Sequence, residues 1–374
     1  MPAKPLFFRD ILFALAAISP LAFVVAGAQE YFPLKLTTEP PASGRTVFLS
    51  PAGELRAEFV ASPPWEQPPF CVVEVRPRRG STAVGTTFAG MTYLGGMCSA
   101  TGALLAAEER GKTVFVRFGA DGREIARTHA EIPPSAAVFA GVSPEVALVH
   151  VGKRLVIIML RDSAIAANTV ADNDVAAVAA DFSLKTGAYI SRTAAAASVH
   201  FLDSSGRETS SFRLPDYNRY SLTLRGNTAG IAAANQVAVS FCYVFRDRKG
   251  MTETGITDTP PELSAVIPAA KSAVVAVRPD GGGYAVVTRA VSPPAAARAV
   301  AVPEGFVGPT AVIADSLLVV LFGNGLLLVS EEGEIIAAHR FAPGAGNSPP
   351  QAGIAGGAVF LRHGANTSLF RIEE

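Results

Sequence analysis

One pattern recurs along most of this chain and limits what it can fold into. A short apolar or alternating run leads into a polar turn closed by glycine, and a second such run follows. The run 113–118 meets Ala120-Asp121-Gly122 and continues at 123–128. The run 177–182 meets Leu184-Lys185-Thr186-Gly187, and 199–202 meets Asp203-Ser204-Ser205-Gly206. The same grammar returns at Asp247-Arg248-Lys249-Gly250, Pro279-Asp280-Gly281 and Glu331-Glu332-Gly333. A tight hairpin needs positive φ at one or two positions, and glycine adopts it without a Cβ clash. Alternation on either side turns one face of each hairpin toward a core. The runs 155–160 and 316–322 have no polar alternation, which predicts strands buried on both faces.

The turn glycines fall at 122, 187, 206, 250, 281 and 333. Their gaps are uneven, but the mean is about 42 residues, near the length of one four-stranded propeller blade. About 300 residues of such units predict an all-β chain, a β-propeller of roughly six or seven blades. Two separate sandwiches would need a visible linker, and a β-helix a shorter, stricter period; neither pattern is present. Ahead of the repeats, residues 29–70 are rich in proline, with strands expected at 46–50 and 55–61. They read as a β entry segment, followed by a propeller-like domain over 71–374.

Composition narrows the function. Of 374 residues, 49% are hydrophobic and 17% charged, the balance of a packed chain rather than a disordered one. Lys plus Arg equals Asp plus Glu at 32 each, so nothing steers the chain toward nucleic acid or an anionic membrane. At the start, Lys4 and Arg9 precede an apolar stretch at 11–25, broken at Ser19-Pro20 and followed by Ala26-Gly27-Ala28. This is the pattern of a secretion signal cleaved near residue 28, and it predicts a periplasmic or secreted protein. An uncleaved N-terminal anchor is the rival reading. In an oxidising compartment the cysteines Cys71, Cys98 and Cys242 allow one disulfide, for which Cys71 and Cys98 are the nearest pair. Three buried thiols acting as small apolar side chains are the preferred reading.

The hairpins Phe118-Gly119-Ala120-Asp121-Gly122-Arg123-Glu124-Ile125 and Leu328-Val329-Ser330-Glu331-Glu332-Gly333-Glu334-Ile335-Ile336 resemble the outer hairpins of bacterial β-propeller repeat proteins. The resemblance is one of repeat style and covers about residues 71–374. It implies radial sheets around a channel, with a binding surface at one mouth. Repeats named for Trp-Asp do not fit, because Trp65 is the one tryptophan. The Trp docking of quinoprotein propellers and the Asp box of sialidases are absent for the same kind of reason.

Chemistry-bearing residues are sparse. The histidines His129, His150, His200, His339 and His363 show no metal-ligand spacing. Asp172-Asn173-Asp174 is the densest oxygen cluster, which makes Asp172 and Asp174 candidates for calcium; Ala176 and Ala177 break the helical calcium-loop pattern. No Gly-x-Ser-x-Gly elbow exists, and no cofactor motif is present. Arg213, Tyr217, Arg219 and Tyr220, with Arg225 nearby, form a polar aromatic cluster of the kind that anchors partners. The expected function is an exported, non-catalytic propeller that binds a protein, peptide or glycan, or serves as a scaffold. The alternative is a hydrolase, lactonase or lyase with its site in the central channel. That reading requires His150, His200 or His339 to face the channel beside a carboxylate.

Overall fold

A computed structural model of the chain describes residues 35–38, 42–43, 45–50, 54–63, 66–77, 84–161, 164–170, 174–194, 196–235, 240–246, 250–257, 259, 263–267, 273–290, 296–314, 318–330, 332–340, 351–355, 358–363 and 366–373. The expected signal sequence, Asp172 and Trp65 lie outside them. The described residues are built from strands, with no α-helix among them.

Two short strands come first, β1 (Lys35–Thr38) and β2 (Ala42–Ser43). Blade 1 holds β3 (Arg45–Leu49), β4 (Leu55–Ala61), β5 (Phe70–Pro77) and β6 (Val84–Ala89). Blade 2 holds β7 (Met91–Ser99), β8 (Gly102–Glu109), β9 (Lys112–Gly119) and β10 (Glu124–Ala130). Blade 3 holds β11 (Ala137–Ser143), β12 (Val146–Val151), β13 (Arg154–Arg161) and β14 (Ala164–Val170). Blade 4 holds β15 (Asp174–Asp181), β16 (Thr186–Arg192), β17 (Ala197–Leu202) and β18 (Glu208–Leu214). Blade 5 holds β19 (Arg219–Arg225), β20 (Thr228–Ala234), β21 (Ser240–Arg246) and β22 (Gly250–Thr257). Blade 6 holds β23 (Ser264–Ile267), β24 (Ala273–Asp280), β25 (Gly283–Ala290) and β26 (Arg298–Ala301). Blade 7 holds β27 (Pro309–Ala314), β28 (Leu318–Phe322), β29 (Gly325–Val329) and β30 (Ile335–Arg340). The last strands are β31 (Gln351–Ala355), β32 (Ala358–His363) and β33 (Asn366–Glu373).

Seven sheets are therefore four-stranded antiparallel meanders, as the repeat length predicts. An eighth sheet, which the turn count does not anticipate, joins β31, β32 and β33 to β1, with β2 also paired to β33. Lys35 stands opposite Glu373 and Thr38 opposite Phe370, so the two ends of the ring are hydrogen-bonded into one blade. The proline-rich segment thus carries strands of two different sheets. Its strands supply the closing edge of blade 8 and half of blade 1, because a ring needs its terminal sheet shared between both ends of the chain.

The first strand of each sheet packs beside the first strand of the next, from β3 and β7 through β23 and β27, which makes these the inner strands of a propeller. Apolar layers fill the gaps between blades. Phe59 and Val73 of blade 1 meet Val116 and Phe118 of blade 2. Leu148 and Leu155 of blade 3 meet Tyr189 and Leu202 of blade 4. Leu321 and Leu328 of blade 7 meet Val359 and Phe370 of blade 8. The middle strands are sandwiched, so Leu318–Phe322 is buried throughout, in line with its unbroken apolar sequence.

The two hairpins likened to propeller outer hairpins are the outer hairpins of blades 2 and 7, and blade 4 repeats them. In each, the first residue's N–H donates to the carbonyl four residues on: Gly119 to Arg123 at 2.9 Å, Asp203 to Arg207 at 3.0 Å, Ser330 to Glu334 at 2.8 Å. The closing glycines sit at φ 77°, 77° and 84°. Three residues past each glycine the ladder shifts register, leaving Ile125, Thr209 and Ile336 as bulge residues.

Candidate functional site

The channel is the first place to look. None of the five histidines lies on an inner strand: His150 is on the second strand of its blade, His200 on the third, and His129 and His339 on outer strands. The charged residues of the inner strands, Arg45, Asp174, Asp181, Arg219 and Arg225, all stand at strand ends. Between its ends β15 is apolar and small, with Ala176–Ala180 half-buried, Val138 of β11 is 59% exposed, and β7 carries the exposed Thr92. Burial lowers the pKa of both His150 and His339, and His339 packs its ring edge-on to Phe370 at 4.9 Å between blades 7 and 8. These side chains serve packing, and the channel offers no acid–base pair among the described residues.

The aromatic cluster is a built feature of the rim. Residues 215–218 carry the chain from the outer strand of blade 4 to the inner strand of blade 5. The Tyr220 hydroxyl donates to the Pro215 carbonyl at 2.7 Å and accepts from the Tyr217 N–H at 2.7 Å, bracing the connection from inside. The two rings meet edge-to-face at 6.3 Å. Burial raises the Tyr220 pKa, which keeps the hydroxyl protonated and able to donate. Arg192, from the end of β16, donates to the Asn218 carbonyl at 3.3 Å and pairs with Asp216 at 3.4 Å. The sequence did not single out Arg192 or Asp216, because their proximity depends on which strand ends share a rim. Arg219 is exposed at the start of β19, beside the loop. Arg225 stands at the far end of that strand, and Arg213 faces Ser198 across the β17–β18 ladder, so neither joins the loop cluster.

Blade 4 also assembles a group that its spacing hides. His200 Nδ1 lies 3.1 Å from Glu208 Oε2, and His200 Nε2 lies 2.8 Å from Ser191 Oγ. A carboxylate only accepts, so Nδ1 carries a hydrogen toward Glu208, and in the neutral imidazole Nε2 accepts from the Ser191 hydroxyl. Tyr189 stacks on the imidazole at 4.4 Å and 6°. Burial, and then the charge of Glu208, push the Tyr189 pKa up to about 12, so the stacked phenol stays neutral. The three polar groups come from three successive strands and meet through register alone.

Cys71 and Cys98 are free and buried, not bridged. Each is packed in the apolar layer between blades 1 and 2, and each thiol turns toward a nearby main-chain carbonyl: Val72 at 3.9 Å for Cys71, and Gly102 at 3.5 Å for Cys98. Burial pushes both thiols up to about 12. Asp174 pairs with Lys153 at 2.9 Å. Among the described residues, no three acidic, histidine or cysteine side chains converge as a metal site would require, and no helix is long and apolar enough to cross a membrane.

Sheet count, meander order and ring closure define a β-propeller. No family model matches the chain, and no curated protein matches it significantly. Solved structures do. The Dos1 propeller superposes with a TM-score of 0.58 at 11% identity, over 91% of this chain and 94% of that one. The BP39L lectin from Burkholderia pseudomallei gives 0.50 at 11% identity, over 83% and 100%. Hydrazine synthase of Kuenenia stuttgartiensis gives 0.50 at 12% identity, over 73% and 94%. At these identities the likeness is one of fold.

Proposed function

We propose that this chain is an exported propeller module that binds a protein, peptide or glycan through the rim between blades 4 and 5, or holds such a partner as a scaffold. The supporting observation is the Tyr220-braced connection. A loop fixed from inside loses little entropy on binding, and it carries Tyr217, Asn218 and Arg219, residue types that anchor interfaces. The neighbours of this fold include both a lectin and a hydrazine synthase, so the choice rests on the site. A hydrolase, lactonase or lyase working in the channel lacks the inner-strand histidine that reading requires. Export rests on the basic start, apolar stretch and Ala-Gly-Ala of residues 4–28.

The test is a screen of the purified protein on glycan and peptide arrays, repeated with a Tyr217→Ala/Arg219→Ala double variant. Binding that falls at least tenfold in the double variant supports the reading. A wild-type protein that binds nothing, or binding that the double variant keeps, contradicts it.

A further inference from the structure

We propose that Ser191, His200 and Glu208 form a nucleophile–base–acid relay that cleaves carboxylic esters on the face that blade 4 turns toward blade 3. The proposal is independent of the rim reading. Its basis is geometric. The serine–imidazole distance of 2.8 Å and the imidazole–carboxylate distance of 3.1 Å fall in the range that couples a nucleophile to its base and the base to an orienting acid. The array also has a direction. Ser191 is 4% exposed at its foot, while the side chains of His200 and Glu208 are 15% and 44% exposed, so the relay rises from the packed base of the blade to solvent.

The strand register places the rest. Tyr189, His200 and Ser211 form one cross-strand row, and Ser191, Ser198 and Arg213 the next. Directly paired residues share a face. Tyr189 and Leu202 of this face pack on Leu148 and Leu155 of blade 3. Farther out, Ser211 and Arg213 are exposed, as is Asn168 on β14 opposite. Ser191 lies at the inner end of a row that runs out through Ser198 to the exposed Arg213. The Tyr189 stack fixes the imidazole plane so that both ring nitrogens stay in line with their partners.

The chemistry balances without a cofactor. Ser191 Oγ attacks the carbonyl carbon as its proton passes to His200 Nε2, and Glu208 offsets the imidazolium charge. The ester C–O bond breaks, the alcohol leaves with the proton from Nε2, and the acyl group stays on Ser191. Water then attacks that acyl group, its proton passing through His200 back to Ser191 Oγ, and the carboxylic acid departs.

The experiment is labelling of the folded protein with a reporter fluorophosphonate, mapped by mass spectrometry, alongside hydrolysis of p-nitrophenyl acetate and butyrate. The expected result is one adduct, on Ser191, that is absent in Ser191→Ala and at least a hundredfold slower in His200→Gln. Ester turnover in Ser191→Ala should fall by about 10³-fold or more. Thermal melting of each variant separates loss of relay from loss of fold, and the mapping on wild-type protein needs no variant. A wild-type protein that takes no label on Ser191, or hydrolysis that survives Ser191→Ala, shows the three residues to be strand ties and overturns the proposal.

Discussion

Asp181 shows how much one side chain does at the blade ends. Burial alone would raise its carboxyl, but the Ser183 hydroxyl at 2.6 Å and the N–H groups of Gly226 at 2.8 Å and Leu184 at 3.1 Å outweigh it and hold the carboxyl below its ordinary value. Gly226 belongs to the next blade, so the carboxylate staples blade 4 to blade 5. A depressed folded pKa stabilises the fold above the unfolded value and loses that contribution as pH falls through the folded one. Asp181→Asn should cost about 1–3 kcal/mol at neutral pH. The gap from wild type should narrow only in acid below the usual carboxylate range, as read by urea unfolding at each pH. Cys71 and Cys98 give a second prediction. With their thiols pushed up to about 12, neither should react with a disulfide reagent at mildly alkaline pH until denaturant is added, and both should react afterwards. Such contacts were illegible in sequence. Ser191 and Glu208 stand nine positions before and eight after His200, intervals that mean nothing until the turns and bulges set the ladder.

Among elements, the outer hairpin is the unit that sequence displayed most clearly. Gly122 and Gly206 close equivalent turns two blades and 84 residues apart, and Gly206 and Gly333 three blades and 127 residues apart. Each blade therefore adds about 42 residues. The uneven spacing arose because Gly187 begins the second strand of blade 4 and Gly281 sits between the middle strands of blade 6, turns of other kinds that share the same polar composition. These outer turns also dock. A Cβ on Gly333 would collide with Thr288 of blade 6, and one on Gly206 would press on Ile157 of blade 3. Gly111, at φ 77°, meets nothing within 4 Å. Gly111→Ala should thus lose about 1–2 kcal/mol from backbone strain alone. Gly333→Ala should lose clearly more, because Thr288 must also move. Equal losses in chemical denaturation would show that the turn does not dock.

The whole molecule depends on how the ring closes. Composition, turn chemistry and repeat length disclosed an all-β propeller, yet the eighth sheet stayed hidden. Its outer strand comes from the far end of the chain, and Lys35–Thr38 is a four-residue strand in a proline-rich setting with no hairpin partner beside it. Pairing over more than 300 residues leaves no local signal, because it is fixed by the geometry of closure and not by a turn. The same fact explains why function was less legible than fold. The rim loop joins residues from two strand ends, and the blade 4 relay joins three strands, so each exists only after the sheets are in register.

Closure of the ring stands on the β1–β33 pairing. Leu36 is the register partner of Ile372, and antiparallel partners lie about 4.5–5.5 Å apart at Cα, within disulfide reach. In a Leu36→Cys/Ile372→Cys variant, mild oxidation followed by peptide mapping should find a single intramolecular 36–372 disulfide, formed in folded protein and raising the melting temperature. A folded, monomeric variant in which those two positions do not cross-link would mean that the ends of the chain do not share a blade.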